Sequence, residues 1–207
     1  KTGWNLISFY VESEDMTPST VMDSIKGNLL QIKNLKSSYD PALPAFINTL
    51  KVITPGLGYW LKVSEKGVWN VGDMSGDGAN RGIVKMGPDD KTHNWGQVVV
   101  YPNVGATVLA EVVISGEAVM EGSVVGAFVE DEVRGQHEVV LSDGRSCVAI
   151  NVNLAEAEKV SFRIWDTGSD KEYGVTKTMT LEMGEMYGSA EEFVNLNGVA
   201  SGSGSTL

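Results

Sequence analysis

Val160-Ser161-Phe162-Arg163-Ile164-Trp165 decides the fold class of this 207-residue chain. Successive strand side chains point to opposite faces. Val160, Phe162 and Ile164 therefore share an inward face, and Arg163 and Trp165 share the face that period two sends to solvent. Val108, Ala110, Val112 and Ile114 form a second inward face by the same rule. Working outward, strand patterns fall at 97–101, 107–115, 124–130, 137–141, 146–152, 159–165, 175–183 and 192–196. A spacing of roughly ten residues with turn residues between is the sandwich or barrel signature. We expect an antiparallel β-sandwich over 95–198.

The first part of the chain reads differently. Residues 4–11 are β-branched and aromatic, which suits a strand. A helix is predicted next, with Thr17 as cap, Pro18 at the first helical position and Gly27 at its end. Val21, Met22 and Ile25 line one face of it. Leu30 and Ile32 share a face in a strand over 29–35, and residues 45–50 suit a short helix or a strand. Pro55-Gly56-Leu57-Gly58 is a turn signal. Tyr59-Trp60-Leu61-Lys62-Val63 leaves it as a strand, with Tyr59, Leu61 and Val63 on one face and Trp60 and Lys62 on the other. Residues 68–71 suit one more strand. The whole is mostly β: a small α+β module over 1–80, a junction over 81–94, the sandwich module, and a flexible tail over 199–207. We read the chain as a fragment of something larger.

Charge sharpens the division. Residues 1–94 balance 10 Lys/Arg against 10 Asp/Glu, whereas residues 95–207 hold 6 and 17, the full net charge of −11. Phosphate binding needs a basic footprint, so nucleic acid is not an expected partner of the second module. The apolar runs are short, as in Val98-Val99-Val100, so no membrane span is expected. The single cysteine, Cys147, sits in a strand-like alternation and reads as a buried thiol.

Five stretches carry a resemblance. Gly3-Trp4-Asn5-Leu6-Ile7-Ser8 opens the first module, and Pro55 to Val63 closes it. Val125-Gly126-Ala127-Phe128-Val129, Glu132-Val133-Arg134-Gly135 and residues 160–166 mark the second. Together they resemble accessory modules of large secreted and surface proteins of bacteria, appended to polysaccharide-degrading enzymes and adhesins. The resemblance implies a non-catalytic role, outside the cell or on its surface, beside neighbouring modules of the same polypeptide. It implies no catalytic residue.

The residues themselves agree with that expectation of no enzyme. His93 and His137 have no second His or Cys at zinc-ligand spacing. Nucleophile elbow, P-loop and His-Glu-x-x-His motifs are absent from the sequence. Asp73-Met74-Ser75-Gly76-Asp77-Gly78 resembles the start of a calcium loop, but Val84 stands where an EF-hand needs Glu. Asp73 and Asp77 remain candidate ligands for a structural calcium, against a plain acidic turn; no cofactor is required. Glu130-Asp131-Glu132 reads as a solvated hairpin tip.

Aromatics at outward strand positions are the binding clue. Indole faces stack on the apolar faces of sugar rings while a polar rim bonds the hydroxyls. Trp60 with Lys62, Trp69, and Trp165 with Arg163 and Asp166 fit that pattern; Trp4 is assigned to core packing and Trp95 to the junction. The first hypothesis is polysaccharide binding, with a neutral glycan suited to an acidic module. The second is a structural or adhesive stalk segment, with its Trp packed inside or between modules. A third, a small hydrolase, needs a pair of acids in a cleft that no motif singles out.

Overall fold

A computed structural model of the chain describes residues 1–8, 13, 15–69 and 95–200. It is mostly β, with 49% strand and 4% helix, in antiparallel and mixed sheets. The chain divides into two compact units, one of residues 1–44 and 48–91 and one of residues 45–47 and 92–207. No helix among the described residues is long and apolar enough to cross a membrane.

The first unit holds β1 (Gly3–Ser8), α1 (Pro18–Val21), β2 (Leu29–Lys33), β3 (Ser38–Tyr39) and β4 (Gly58–Val63). Its sheet runs in the order β1-β4-β2-β3, antiparallel throughout. Tyr59, Leu61 and Val63 are buried with Val21, Met22, Ile25 and Ile32, as period two in β4 requires. Helix α1 is a single turn continued by a 3-10 turn at Asp23–Ile25. Thr17 makes no side-chain cap. Asp15 does that work instead: its carboxylate accepts the Thr17 N–H (2.8 Å) and the Thr20 hydroxyl (2.6 Å). These bonds hold the Asp15 carboxyl below its ordinary range.

Strand β2 departs from the simple alternation. A bulge between Leu29 and Gln31 shifts the register against β4. Leu30 is thereby exposed while Leu29 and Ile32 are buried. Residues 45–50 form turns and irregular backbone, neither helix nor strand. Val68 and Trp69 are likewise outside any strand, and Asn70 and Val71 lie outside the described residues.

The second unit is one mixed sheet. Its strands are β5 (Ala106–Ile114), β6 (Glu117–Ala118), β7 (Val124–Val129), β8 (Glu132–Glu138), β9 (Val140–Ser142), β10 (Arg145–Val152), β11 (Glu158–Asp166), β12 (Lys171–Leu181), β13 (Met186–Tyr187) and β14 (Val194–Ala200). The order is β8-β7-β11-β12-β14-β5-β10-β9, with β6 and β13 also paired to β5. Strands β13 and β14 run parallel to β5; the other pairs are antiparallel. Residues 97–101 form no strand: Val99 donates one bond to the Val133 carbonyl (2.8 Å), and no ladder follows.

The sheet curls back on itself. Strands β8 and β10 are far apart in the pairing order, yet the Asn153 N–H donates to the Arg134 carbonyl at 2.8 Å. Inside the curl lie Val108, Ala110 and Val112 of β5, Val148 and Ile150 of β10, and Val160, Phe162 and Ile164 of β11. Removing a buried Phe or Ile side chain from such packing costs about 2–5 kcal/mol.

The Glu132-Val133-Arg134-Gly135 stretch has a structural explanation in this curl. Arg134 is buried, and its guanidinium makes two bonds to the Glu158 carboxylate (3.0 and 3.1 Å). A third bond reaches Glu132 (3.2 Å), and the Tyr101 ring lies 4.6 Å away. The planar fork matches a carboxylate in a way no other side chain does.

Candidate functional site

Strand β11 carries Arg163 and Trp165 away from the core, as its period requires. Across the sheet, Arg163 faces Gly126 of β7 and Gly174 of β12; Trp165 faces Val124 and Glu172. The Arg163 guanidinium carbon lies 4.3 Å from the centre of the Phe128 ring. Its nitrogens approach Asp131 (3.5 Å) and Glu172 (3.9 Å). Trp95 meets the same Phe128 ring edge-on, at 5.4 Å between centres and 84° between planes. Its indole N–H donates to the second oxygen of Glu172.

One phenyl ring is thus held under a guanidinium and against an indole, and one carboxylate ties the two together. Edge-to-face rings and a cation over a ring face are both favourable electrostatic arrangements. Gly126 makes room for them: a Cβ there would lie 2.7 Å from both Trp95 and Phe128 ring atoms. Trp165 is half-buried beside this group. All of these residues belong to the second unit.

Asp166 is not part of that face. Its carboxylate accepts the Gly168 N–H (3.3 Å), the Ser169 N–H (3.0 Å) and the Ser123 hydroxyl (3.3 Å). It forms the turn after β11. Burial raises its pKa, but the bonds from Ser169, Gly168 and Ser123 outweigh it and hold the carboxyl below the ordinary range.

The first unit carries the other candidates. Trp60 faces Leu6 and Lys33, and Lys62 faces Trp4 and Gln31, all on the side of the sheet away from Tyr59 and Leu61. The assignment of Trp4 to the core is therefore corrected: antiparallel register puts it opposite Lys62. Its ring has the Lys33 amine at 5.2 Å and the Lys62 amine at 5.4 Å. Lys33 is buried, and that burial, with the charge of Lys62, pushes its pKa down to about 7. Trp69 packs against the first core and donates its indole N–H to the Val21 carbonyl (2.9 Å), so it frames the fold.

Asp73 and Asp77 lie outside the described residues, as does His93. Among the described residues no group of three or more His, Cys, Asp or Glu side chains is placed to hold a metal ion. Sequence reasoning places Trp95 at the junction and Phe128 within a motif stretch, gives neither a binding role, and does not name Glu172. Trp95 and Glu172 are 77 positions apart, and no local pattern joins them. No family model, curated protein or solved structure matches the chain.

Proposed function

We propose that this chain is a non-catalytic accessory segment of an extracellular bacterial protein, binding neutral polysaccharide on its second unit. In this reading the curled sheet is a β-sandwich, and the first unit is a small α+β module that precedes it in the sequence. The carrying observation is Glu172: it holds the Trp95 indole, approaches Arg163 and faces Trp165 across the strands. Two indoles, a guanidinium and a carboxylate on one rigid face supply stacking surface and hydroxyl partners together. Asp131 and Glu172 outnumber Arg163 there, which favours an uncharged glycan over an anionic one.

Calorimetry of the chain against a panel of neutral polysaccharides tests this. Binding that is lost in Trp165→Ala, with the melting temperature kept, supports it. Absence of binding to every glycan by folded protein sinks it.

A structural or adhesive stalk is the second reading. Trp69 and Trp95 both bond their indole N–H groups within their own units, which favours it. Stalk function predicts no glycan binding and a change in stability when neighbouring modules are added.

A further inference from the structure

A cleft of about 530 Å³ lies in the second unit, lined by Ile114, Ala118, Val119, Met120 and Leu141, with Glu117 and Asp166 also on its wall. That size is within the roughly 300–1,000 Å³ range of ligand-binding clefts. Two-residue turns bound it. Ser115 and Gly116 join β5 to β6, and Asp143 and Gly144 join β9 to β10, all four with positive φ. Such turns match the right-handed twist of their hairpins. Met120 and Leu141 are exposed by 59% and 47%. Gly168 closes another side, where a Cβ would stand 3.3 Å from the Met120 methyl.

An aliphatic lining with two exposed large side chains is unsuited to a glycan, which needs flat rings and hydroxyl partners. Apolar side chains of a polypeptide fit it, and Met adapts its shape to several of them. The surrounding charge selects the partner further. Glu117 and Asp166 line the cleft, Glu121 follows Met120, and Asp143 precedes the lining Gly144, with Arg145 on that glycine's other side. A second copy of the chain, with net charge −11, brings like charge and is disfavoured. Strand β9, which supplies Leu141, ends the pairing order and pairs with β10 alone among the described strands.

We infer that this cleft docks an extended, basic segment of a partner protein, which seats an apolar side chain against Met120 and Leu141 and sets a flanking Lys or Arg against Glu117 and Asp166. An extended segment aligned with β9 alternates its side chains, so one points into the cleft while its neighbours reach the acidic wall. The site stands apart from the polysaccharide reading, which rests on Trp165 and Glu172.

Fluorescence anisotropy with three labelled synthetic peptides tests it: an alternating Lys-Leu-Lys-Phe-Lys-Leu probe, its Glu-for-Lys counterpart, and a Lys-Ser repeat. The Lys-Leu-Lys-Phe probe alone is expected to bind. Leu141→Asn and Met120→Gln are each expected to weaken it at least tenfold, Glu117→Gln to weaken it and flatten its salt dependence, and Trp165→Ala to leave it unchanged. Both Leu141 and Met120 are exposed, so either variant serves if the other melts early. Equal binding of the Lys-Ser repeat reduces the effect to charge and overturns the inference. Unchanged binding in both apolar variants, or no binding of any probe, overturns it as well.

Discussion

Gly135 and Asn151 touch through their backbones: a Cβ on Gly135 would stand 2.2 Å from the Asn151 carbonyl oxygen. Strands β8 and β10 pass each other there with no room for a side chain. Both contact atoms belong to backbone, so neither can turn aside. Gly135→Ala is expected to destabilise the second unit by about 3 kcal/mol or to prevent its folding. Gly27→Ala, with nothing within 4 Å of its new methyl, is expected to change stability by less than about 0.5 kcal/mol. Urea denaturation of the two variants makes the comparison.

Arg134 closes the same crossing with side chains. Truncating it leaves the largely buried Glu158 carboxylate without its two-point partner. Arg134→Ala is expected to cost about 3–5 kcal/mol. Arg134→Lys keeps the charge but not the fork, and is expected to recover only part of the loss. A larger loss in Arg134→Lys than in Arg134→Ala would contradict this account.

Lys33 makes a prediction about pH. Its amine ionises at about 7 in the folded chain, against an ordinary 10.5 when unfolded, because burial and Lys62 disfavour the charge. Between those values the unfolded state binds the extra proton, so stability rises with pH. Below about pH 7 both states are protonated and the dependence ends. The melting temperature is expected to climb from pH 7 to pH 9 in the parent chain and to climb less in Lys33→Met. Identical slopes in the two proteins would refute the assignment.

Cys147 is buried, and burial raises its thiol pKa, with Arg145 pulling the other way and Glu111 adding to the rise. A protonated, covered thiol is a poor nucleophile. Native protein is expected to react with a thiol reagent no faster than it unfolds, and denatured protein at once. Prompt labelling of the native chain would count against this burial.

Period two alone placed Tyr59, Leu61, Phe162 and Ile164 inside and Arg163 and Trp165 outside, because a strand's alternation is a local property. Leu30 shows where that reasoning stops. One extra residue in β2 reverses the faces, and nothing in Leu29-Leu30-Gln31 announces it. Trp4 was misplaced because the face of β1 is set by its pairing with Lys62, not by its own residue type. The candidate site was half legible for the same reason. Trp165 and Arg163 belong to one alternating run, whereas Trp95, Phe128 and Glu172 join it through contacts between distant parts of the chain. Glu132-Val133-Arg134-Gly135, one of the stretches that carry the resemblance, also lies where β8 and β10 cross.

Strand β14 comes last of the strands among the described residues and lies between β12 and β5, in the middle of its sheet. A chain emerging from the ribosome N-terminus first therefore exposes two unpaired edges until residue 200 has appeared. Those edges are templates for pairing with other chains. Folding of the second unit must wait until residue 200 has been made, and its many long-range pairings make it slow once begun.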